Sequence, residues 1–369
     1  MSCGRPVDES DEIALASIST TLAKTCTKCS IEPAQIVTLA GSLCSACLKA
    51  SVTTKLRTSL HRLEAPRRLG RADKSPFSLA IAFSGGPASR LLLELIRPHV
   101  YTVEERPLHY RGPPSHALFA RAQIIYVSSG SAVIDDQVKT VANDFDYPFC
   151  TVTLPVEAVE LAANALDPSA KMTLQKNLSR SLITRTAHEQ GVTHLMMGET
   201  STGVAIRTIA GMSVGAGFNL GEQVATHVPL FNDKLQLVRP LAHVSSREVA
   251  FLVKQLGLRT IFVPNDLTMA KAKGKKEMGI DGTVEEFVLG LEQQFPATSS
   301  VVGRTAAKLS LCGATSTLCS VCGLPADANA STWRHATALS SFTEHDDLTP
   351  SEIASPLCYS CGIATRKIA

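Results

Sequence analysis

Eight of the eleven cysteines in this 369-residue chain stand in four C-x-x-C pairs, two near each end. Zinc takes four thiolate or imidazole ligands in a tetrahedron, and a C-x-x-C turn supplies two of them from one tight loop. Two pairs at moderate separation therefore predict one tetracysteine site, and the chain carries this arrangement twice. Redox motifs and unbound thiols are the alternative interpretations.

The two sets of four cysteines differ in the length of chain between their pairs. We expect each set to hold one structural zinc ion; the ligands are Cys26, Cys29, Cys44 and Cys47 in the first set and Cys319, Cys322, Cys358 and Cys361 in the second. The second set encloses a polar insert, 327–356, whose His335 and His345 are either rival ligands or solvated loop residues. Such an insert is tolerated because the entropic cost of loop closure grows slowly with length.

Composition and charge exclude several classes of protein. Hydrophobic residues make up 44% and charged residues 19%, which is typical of a globular chain. The formal net charge is only +3, so any nucleic-acid surface must be a local patch. No apolar run is long enough to span a membrane, and the acidic start, from Asp8 to Glu12, is unlike a secretory signal. We therefore expect a cytoplasmic protein without a membrane partner, whose paired cysteines bind metal rather than form disulfides.

Strand and helix patterns alternate through the middle of the chain. Short apolar runs predict strands at 79–83, 123–127, 150–154 and 194–197. Amphipathic periodicity predicts helices at 48–63, 89–97, 133–145, 174–190, 246–256 and 284–294. Strands that alternate with helices of this length imply an α/β fold with a mostly parallel sheet covered on both faces.

Four parts follow from these patterns. We expect a mobile tail at 1–21, a zinc module with a basic helix at 22–75, an α/β domain at 76–297, and a second zinc module with its insert at 298–369. Metal ions suit the two modules because so few residues cannot bury enough apolar area to fold unaided.

Two basic segments are candidate nucleic-acid contacts. Segment 49–74 carries eight Lys or Arg against two acidic residues, and segment 271–276 carries four lysines. Such a patch can displace counterions from a phosphate backbone, although a solvated helix face and a charged linker would look the same. The candidate contacts are Lys49, Lys55, Arg57, Arg62, Arg67, Arg68, Arg71, Lys271, Lys273, Lys275 and Lys276.

A glycine-containing turn, 84–89 with the sequence SGGPAS, joins the first strand of the α/β region to a helix. Glycines let the backbone approach a ligand, and the helix N-terminus offers free N–H groups to an anion. The candidate phosphate contacts are Ser84, Gly85, Gly86 and Ser89, and an ordinary strand-to-helix turn is the alternative. A second glycine-rich stretch, 211–221, could border a ligand mouth or a partner surface, or form a flexible loop.

The turn resembles the pyrophosphate loop of ATP-pyrophosphatase enzymes that adenylate tRNA bases. The four C-x-x-C pairs, this turn, Gly198-Glu199-Thr200-Ser201-Thr202 and Arg239-Pro240-Leu241 together resemble the cytoplasmic tRNA 2-thiolation protein 2 family over 26–369. The resemblance implies a fold of the ATP-pyrophosphatase type and a role in placing sulfur at carbon 2 of the wobble uridine of cytoplasmic tRNAs. It also implies a heterodimer with a catalytic paralogue and a thiocarboxylated ubiquitin-like sulfur carrier, which acts through that partner.

Departures from the active relatives bear on which subunit does the chemistry. Active loops carry an acidic residue where Ala88 stands, and an acidic cluster where this chain offers only Glu199. Magnesium prefers carboxylate oxygens, so the anchor for magnesium and ATP is missing and ATP binding is in doubt. Thiolating relatives also use three central cysteines for an iron-sulfur cluster or sulfur relay, whereas Cys150 is alone between Leu48 and Leu311.

We therefore expect a non-catalytic subunit with no catalytic residue, no iron-sulfur cluster and a phosphate loop that is a remnant. Two alternatives stay open: the chain is itself an ATP-dependent tRNA sulfurtransferase, or it is a zinc-containing interaction module without an RNA role. Cys150 starts an apolar run, so a buried core thiol is expected there, with a persulfide relay as the alternative.

Overall fold

The structure of the chain, a computed structural model, describes residues 22–68, 77–100, 118–165, 167–263, 279–306, 308–309, 317–327 and 356–365. The predictions for the tail, for the segment 271–276 with its lysines, for Arg71 and for most of the insert 327–356 lie outside these residues. Cys3, Cys312, His335 and His345 lie outside them as well.

A six-stranded sheet forms the centre of the described chain. The strands in chain order are β1 (Ile36–Thr38), β2 (Gly41–Leu43), β3 (Phe77–Ala82), β4 (Phe119–Val127), β5 (Phe149–Val152), β6 (His194–Met197), β7 (His227–Leu230), β8 (Leu235–Val238), β9 (Thr317–Leu318) and β10 (Pro325–Ala326). The sheet order is β5-β4-β3-β6-β8-β7, and every neighbouring pair is parallel except β7 with β8. The predicted α/β fold with a mostly parallel sheet is confirmed.

Helices cover both faces of this sheet. In chain order they are α1 (Ser45–Arg68), α2 (Pro87–Ile96), α3 (Ala132–Ala142), α4 (Val156–Ala163), α5 (Pro168–Glu189), α6 (Ser201–Ser213), α7 (Leu220–Val224), α8 (Ser246–Gln255), α9 (Gly279–Gln294), α10 (Thr298–Ala306) and α11 (Tyr359–Thr365). Because parallel central strands are buried on both faces, β6 is buried at all four residues. None of the described helices is long and apolar enough to cross a membrane.

Two elements begin earlier than their hydrophobic pattern predicts. Helix α5 starts at Pro168 rather than at 174, because the Asp167 side chain accepts a hydrogen bond from the Ser169 N–H and Pro168 suits the first helical position. Strand β4 starts at Phe119 rather than at 123, because the Phe119 ring is fully buried beside Phe77. End capping and aromatic packing therefore set these boundaries.

The N-terminal module shares one hydrophobic core with a face of the sheet. Its buried Cys26 and Cys44 lie in the same cluster as β3, β4, α2, α3 and α8. Helix α1 joins them through an apolar stripe at helical spacing, formed by Leu48, Val52, Leu56, Leu60 and Leu63. The C-terminal cysteines form a separate small cluster with Leu324 and Ala326. The domain boundaries expected from sequence stay predictions.

Asp135 fixes the turn between β4 and α3 near the carboxyl edge of the sheet. Its carboxylate accepts hydrogen bonds from the Tyr126 and Ser128 hydroxyls and from both the backbone and the hydroxyl of Ser129. Burial alone would raise the pKa of Asp135, but these hydrogen bonds outweigh burial and lower the pKa to about 2. The charged carboxylate therefore stabilises this turn.

We expect Asp135→Asn to lower the free energy of unfolding at pH 7 by about 1 kcal/mol, a value reduced for solvent screening at this half-buried site. The folded-state pKa of Asp135 lies below its ordinary 3.8, so its contribution is present above roughly pH 4 and is lost as the pH falls toward 2. Denaturant unfolding at pH 7 and pH 3 measures this difference. Asp136→Asn, at the exposed neighbour on the same helix, is the control; equal losses in both variants would contradict the assignment.

Candidate functional site

The N-terminal cysteine group combines a hairpin turn with the start of a helix. Cys26 and Cys29 lie on a turn closed by a 2.8 Å hydrogen bond from the Ser30 N–H to the Cys26 carbonyl. Cys44 precedes α1, and Cys47 lies in its first turn, where the Cys47 N–H donates to Cys44 Sγ at 3.5 Å. Burial would raise the pKa of Cys26, but backbone N–H groups outweigh it and lower the pKa to about 6. This turn is therefore built to hold a thiolate.

The C-terminal group repeats the same plan. Cys319 and Cys322 lie on the turn of the β9–β10 hairpin, where the Gly323 N–H donates to the Cys319 carbonyl at 2.8 Å. Cys358 precedes α11 and Cys361 lies on it. Gly323 has a φ of +67°, and the equivalent Ser30 has a φ of +56°, so both turns need a left-handed residue directly after the second cysteine.

Both groups fit a single tetrahedral ion. Within each group all four sulfurs lie within 4.8 Å of one another, with Cys29 to Cys44 at 3.9 Å and Cys322 to Cys358 at 3.7 Å. Sulfurs that are about 2.3 Å from one tetrahedral ion lie about 3.8 Å apart. A cluster of several irons would separate its ligands further, because metal–metal edges add to the metal–sulfur bonds. The geometry therefore suits one metal ion in each group.

The thiols of the C-terminal group compete for protons in the absence of a cation. Hydrogen bonds from the Cys322, Cys358 and Cys361 thiols lower the pKa of Cys319, whereas the hydrogen bond with Cys319 raises the pKa of Cys361. One thiolate therefore forms readily and opposes ionisation of the others. A divalent cation relieves this repulsion, so metal binding would displace the remaining protons.

The predicted phosphate turn lies between β3 and α2 and is largely self-contained. The Ser89 hydroxyl donates to the Gly86 carbonyl at 3.1 Å and accepts from the Ser84 N–H at 3.3 Å. The Ile261 N–H donates to the Gly85 carbonyl at 2.9 Å. Gly85 has a φ of +77°, and a Cβ there would lie 3.2 Å from the Ile261 Cβ. The chain after α8 therefore packs directly on the turn.

Glu199, the carboxylate that follows β6, is held by arginines. Its two oxygens accept hydrogen bonds from Arg239 Nε at 2.6 Å and from Arg207 Nη2 at 2.8 Å. Burial alone would raise the pKa of Glu199, but Arg207, Arg239 and Arg180 outweigh it and lower the pKa. A metal ion would have to compete with these guanidinium groups for the carboxylate.

The residues after Glu199 are also engaged by neighbouring helices. The Thr200 hydroxyl lies 2.8 Å from the Ser246 hydroxyl at the start of α8. The Thr202 hydroxyl accepts from the Ser246 N–H at 3.0 Å and donates to the Glu292 carboxylate on α9 at 2.9 Å. The segment where active relatives are expected to carry an acidic cluster thus ties α6 to α8 and α9.

Four of the predicted nucleic-acid contacts have described side chains, all on α1. Lys49, Arg57 and Arg62 are exposed, and Lys55 donates a 2.8 Å hydrogen bond to the His243 carbonyl. For Arg67 and Arg68 only the helix backbone is described, while Arg71 and the lysines of 271–276 lie outside the described residues.

Sequence reasoning missed three basic residues that lie near α1. Burial first, and then the charges of Arg62, Lys55 and Arg304, lower the pKa of His243. His227, at the start of β7, contacts the Ser59 carbonyl through Nε2 at 3.3 Å. These groups come from distant parts of the chain, so no run of basic residues signals them. The basic face is the surface formed by Lys55, Arg62, His227, His243 and Arg304.

The second glycine-rich stretch borders a cavity of about 820 Å³ next to α11. Residues 212–219, Tyr359 and Ile363 contribute to its walls. A Cβ at Gly215 would collide with the Tyr359 ring, so glycine is required for this close approach.

Cys150 is half-buried on the edge strand β5 and accepts a hydrogen bond from Gln190 Nε2 at 3.2 Å. The expectation of a buried core thiol at Cys150 is wrong, because an edge strand has a neighbour on one side only.

A family model described as cytoplasmic tRNA 2-thiolation protein 2 matches residues 279–363. The protein of that name from Schizosaccharomyces pombe is 23% identical over 365 residues, with 93% of each chain covered. The Danio rerio protein of the same name is 30% identical over 141 residues, which cover 38% of this chain and 27% of the zebrafish protein. The alignment with the vertebrate relative thus spans only about a quarter of its length.

Among solved structures, the chain resembles the U34-tRNA thiolase NcsA from Methanococcus maripaludis, described with its [4Fe-4S] cluster. The TM-score is 0.58 at 18% identity, and the likeness covers 82% of this chain and 96% of NcsA. This likeness concerns the fold, and the predicted ATP-pyrophosphatase type is confirmed. In its family match, in the fission-yeast relative that aligns along nearly its whole length, and in its motifs, the chain is similar to the cytoplasmic tRNA 2-thiolation protein 2 family.

Proposed function

We propose that this protein is a non-catalytic subunit required for 2-thiolation of the wobble uridine of cytoplasmic tRNAs. It acts in the cytoplasm, as a heterodimer with a catalytic paralogue that receives sulfur from a thiocarboxylated ubiquitin-like carrier. The names of its relatives support the pathway. The observation that carries the non-catalytic role is the pairing of Glu199 with Arg239 and Arg207.

The electrostatics of the carboxyl edge support this role. Magnesium and ATP would need carboxylates beside the phosphate turn, because the cation anchors the phosphates. The Ala88 methyl group cannot bind a cation, and both oxygens of Glu199 already accept from guanidinium groups. The turn itself is packed against Ile261. A nucleotide-binding scaffold is retained here without the groups that would hold the metal.

We expect cells that lack this protein to lose wobble 2-thiouridine and to regain it with the Ser84→Ala variant. Ser84 is exposed on the turn and among the described residues its hydroxyl has one hydrogen-bonding contact, 3.2 Å from the Ser89 hydroxyl, so we expect its loss to matter chiefly if the turn binds phosphate. Mass spectrometry of digested tRNA measures the modification. Normal thiolation in the deletion cells would refute the proposed function, and failure of Ser84→Ala, expressed at the wild-type level, would favour a chain that itself uses ATP.

Calorimetry with the purified protein separates the two roles directly. A non-catalytic chain should show no heat of binding with ATP and magnesium, whereas its tagged form should copurify with a paralogue. Tight ATP binding with release of pyrophosphate would instead identify the chain as the sulfurtransferase. Intact thiolation and no tRNA binding would point to an interaction module.

We also propose that the two cysteine groups each hold one structural zinc ion. All four cysteines of the C-terminal group and two of the N-terminal group are buried, and small buried thiolate sets suit a redox-inert ion. In each module the ion would link a hairpin turn to the start of a helix. This link would stabilise a module whose own apolar core is too small.

Removing one ligand should therefore remove about one ion. We expect Cys26→Ser and Cys361→Ser each to lower the zinc content by about one ion per chain. Each should also destabilise the adjoining module, because the free energy of binding a structural zinc ion contributes to the free energy of folding. Metal analysis by mass spectrometry with a thermal melt checks this. Cys150→Ser, outside both groups, is the control and should keep full zinc. Iron in place of zinc, or unchanged stoichiometry in both ligand variants, would contradict the assignment.

We propose that the basic face contacts the tRNA backbone. It joins Arg62 of α1 to His243 and Arg304 at the carboxyl edge of the sheet. At neutral pH the charges of this pair of arginines, on α1 and α10, can neutralise neighbouring phosphates, whereas the lowered pKa of His243 leaves that side chain an uncharged hydrogen-bonding group. Lys55 contributes less, because it lies 3.6 Å from the Glu248 carboxylate.

We expect Arg62→Ala to weaken tRNA binding and to reduce the slope of log affinity against log salt by about one phosphate contact. Filter binding over a salt series measures both quantities. Arg121→Ala removes an equal charge from an exposed site near the start of β4, outside the basic face, and serves as the control. Identical slopes for the two variants would contradict the assignment of this surface.

A further inference from the structure

One face of α5 receives the C-terminal cysteine module. Leu174 packs with Ala364 and Val321, and the Ser181 Oγ would lie 3.3 Å from a Cβ at Gly323. Between these contacts, Asn177 Nδ2 donates a hydrogen bond to Cys361 Sγ at 3.4 Å. A polar amide therefore reaches one of the four sulfurs from outside the module.

A buried arginine lies one turn further along the same helix. Arg180 is only 6% exposed, and its Nη2 donates to the Glu222 carbonyl at 3.3 Å. Its Nη1 has no hydrogen-bond partner among the described residues. Glu199 already binds two other guanidinium groups, and within the described part of the chain no carboxylate forms an ion pair with Arg180.

The guanidinium group of Arg180 lies near the C-terminal cysteine group. Burial, and then the nearby Arg239 and Arg207, lower the pKa of Arg180 to about 9, while Glu199 and, to a smaller extent, negative charge at Cys322 act in the opposite direction. The contact of the next residue on α5, Ser181, with Gly323 places this guanidinium beside the turn that carries Cys322. An unpaired buried cation is costly unless negative charge lies nearby.

A four-thiolate centre supplies that negative charge. Four thiolates around a divalent cation leave a net negative charge, and the C-terminal cysteines are all buried, so water offsets little of it. Hydrogen bonds and charges beyond the ligands commonly control how tightly a protein holds its metal. At the N-terminal group Cys29 and Cys47 are half-exposed, so solvent water can offset part of the negative charge of the thiolates there.

We propose that Asn177 and Arg180 are positioning residues for the C-terminal metal centre, the first as a donor to Cys361 and the second as a charge that offsets the thiolates. This inference rests on the proposed metal assignment. It follows that the C-terminal centre releases its ion more slowly than the N-terminal centre. Arg180 also connects that centre to Glu199, and hence to the carboxyl edge of the sheet.

Metal release to a chromogenic chelator tests this on the full-length protein. The wild type should show a fast and a slow phase, and Cys26→Ser should lack the fast one. We expect Asn177→Leu, which keeps the volume and removes the donor, to accelerate the slow phase by about 10- to 100-fold. Arg180→Met should do the same, and Arg180→Lys should restore part of the retention. Gln190→Leu, which removes an amide donor from the lone Cys150, is the matched control and should change neither phase.

A cobalt-substituted protein gives a readout that a merely structural role would not move. Loss of the amide donor makes the thiolates better electron donors, so Asn177→Leu should shift the thiolate-to-cobalt charge-transfer band to lower energy. An unchanged band and release rate in Asn177→Leu would overturn the inference even if Arg180→Met fails to fold. Absence of bound metal at both groups in the wild type would instead refute the metal assignment on which the inference rests.

Discussion

The described fold depends on one buried charge cluster at the carboxyl edge of the sheet. Glu199 follows β6, Arg239 follows β8, and Arg207 and Arg180 project from α6 and α5, so the cluster joins two central strands to two covering helices. Arg239 is fully buried, and removing one partner from such a pair typically costs about 3–5 kcal/mol because the other charge stays buried. The same contacts that hold the sheet to its helices therefore also occupy the carboxylate that a catalytic site would need.

Both cysteine modules are small, and they are stabilised in different ways. The N-terminal module contributes Ile36, Leu43 and two cysteines to the main core, and α1 extends that contact over several turns. The C-terminal module has only a small apolar cluster of its own and contacts α5 through a few side chains. Its integrity must therefore depend more on the four cysteines, all of which are buried and could hold a metal ion.

Sequence patterns predict the features that depend on local spacing. The cysteine spacings predict both cysteine groups. The apolar runs predict β3 and β6, because central parallel strands are buried on both faces. Patterns fail where tertiary contacts decide. Arg180 lies on a helix without a marked apolar stripe, so nothing in the sequence indicates that this cation is buried. His227, His243 and Arg304 meet only because β7, the loop after β8 and α10 converge on α1.

Contacts within the protein define the shape of the carboxyl edge of the sheet. The carboxyl ends of β3 and β6 meet closely enough that a Cβ at Gly198 would lie 2.8 Å from the Ser89 N–H. That contact keeps the shape of a phosphate turn whether or not a phosphate binds. The turn has Ala88, and Glu199 is held by arginines, so internal ion pairs lie where the family resemblance leads us to expect metal-binding carboxylates. The edge is therefore held by protein contacts, with Gly198 against Ser89 and Glu199 against Arg207 and Arg239.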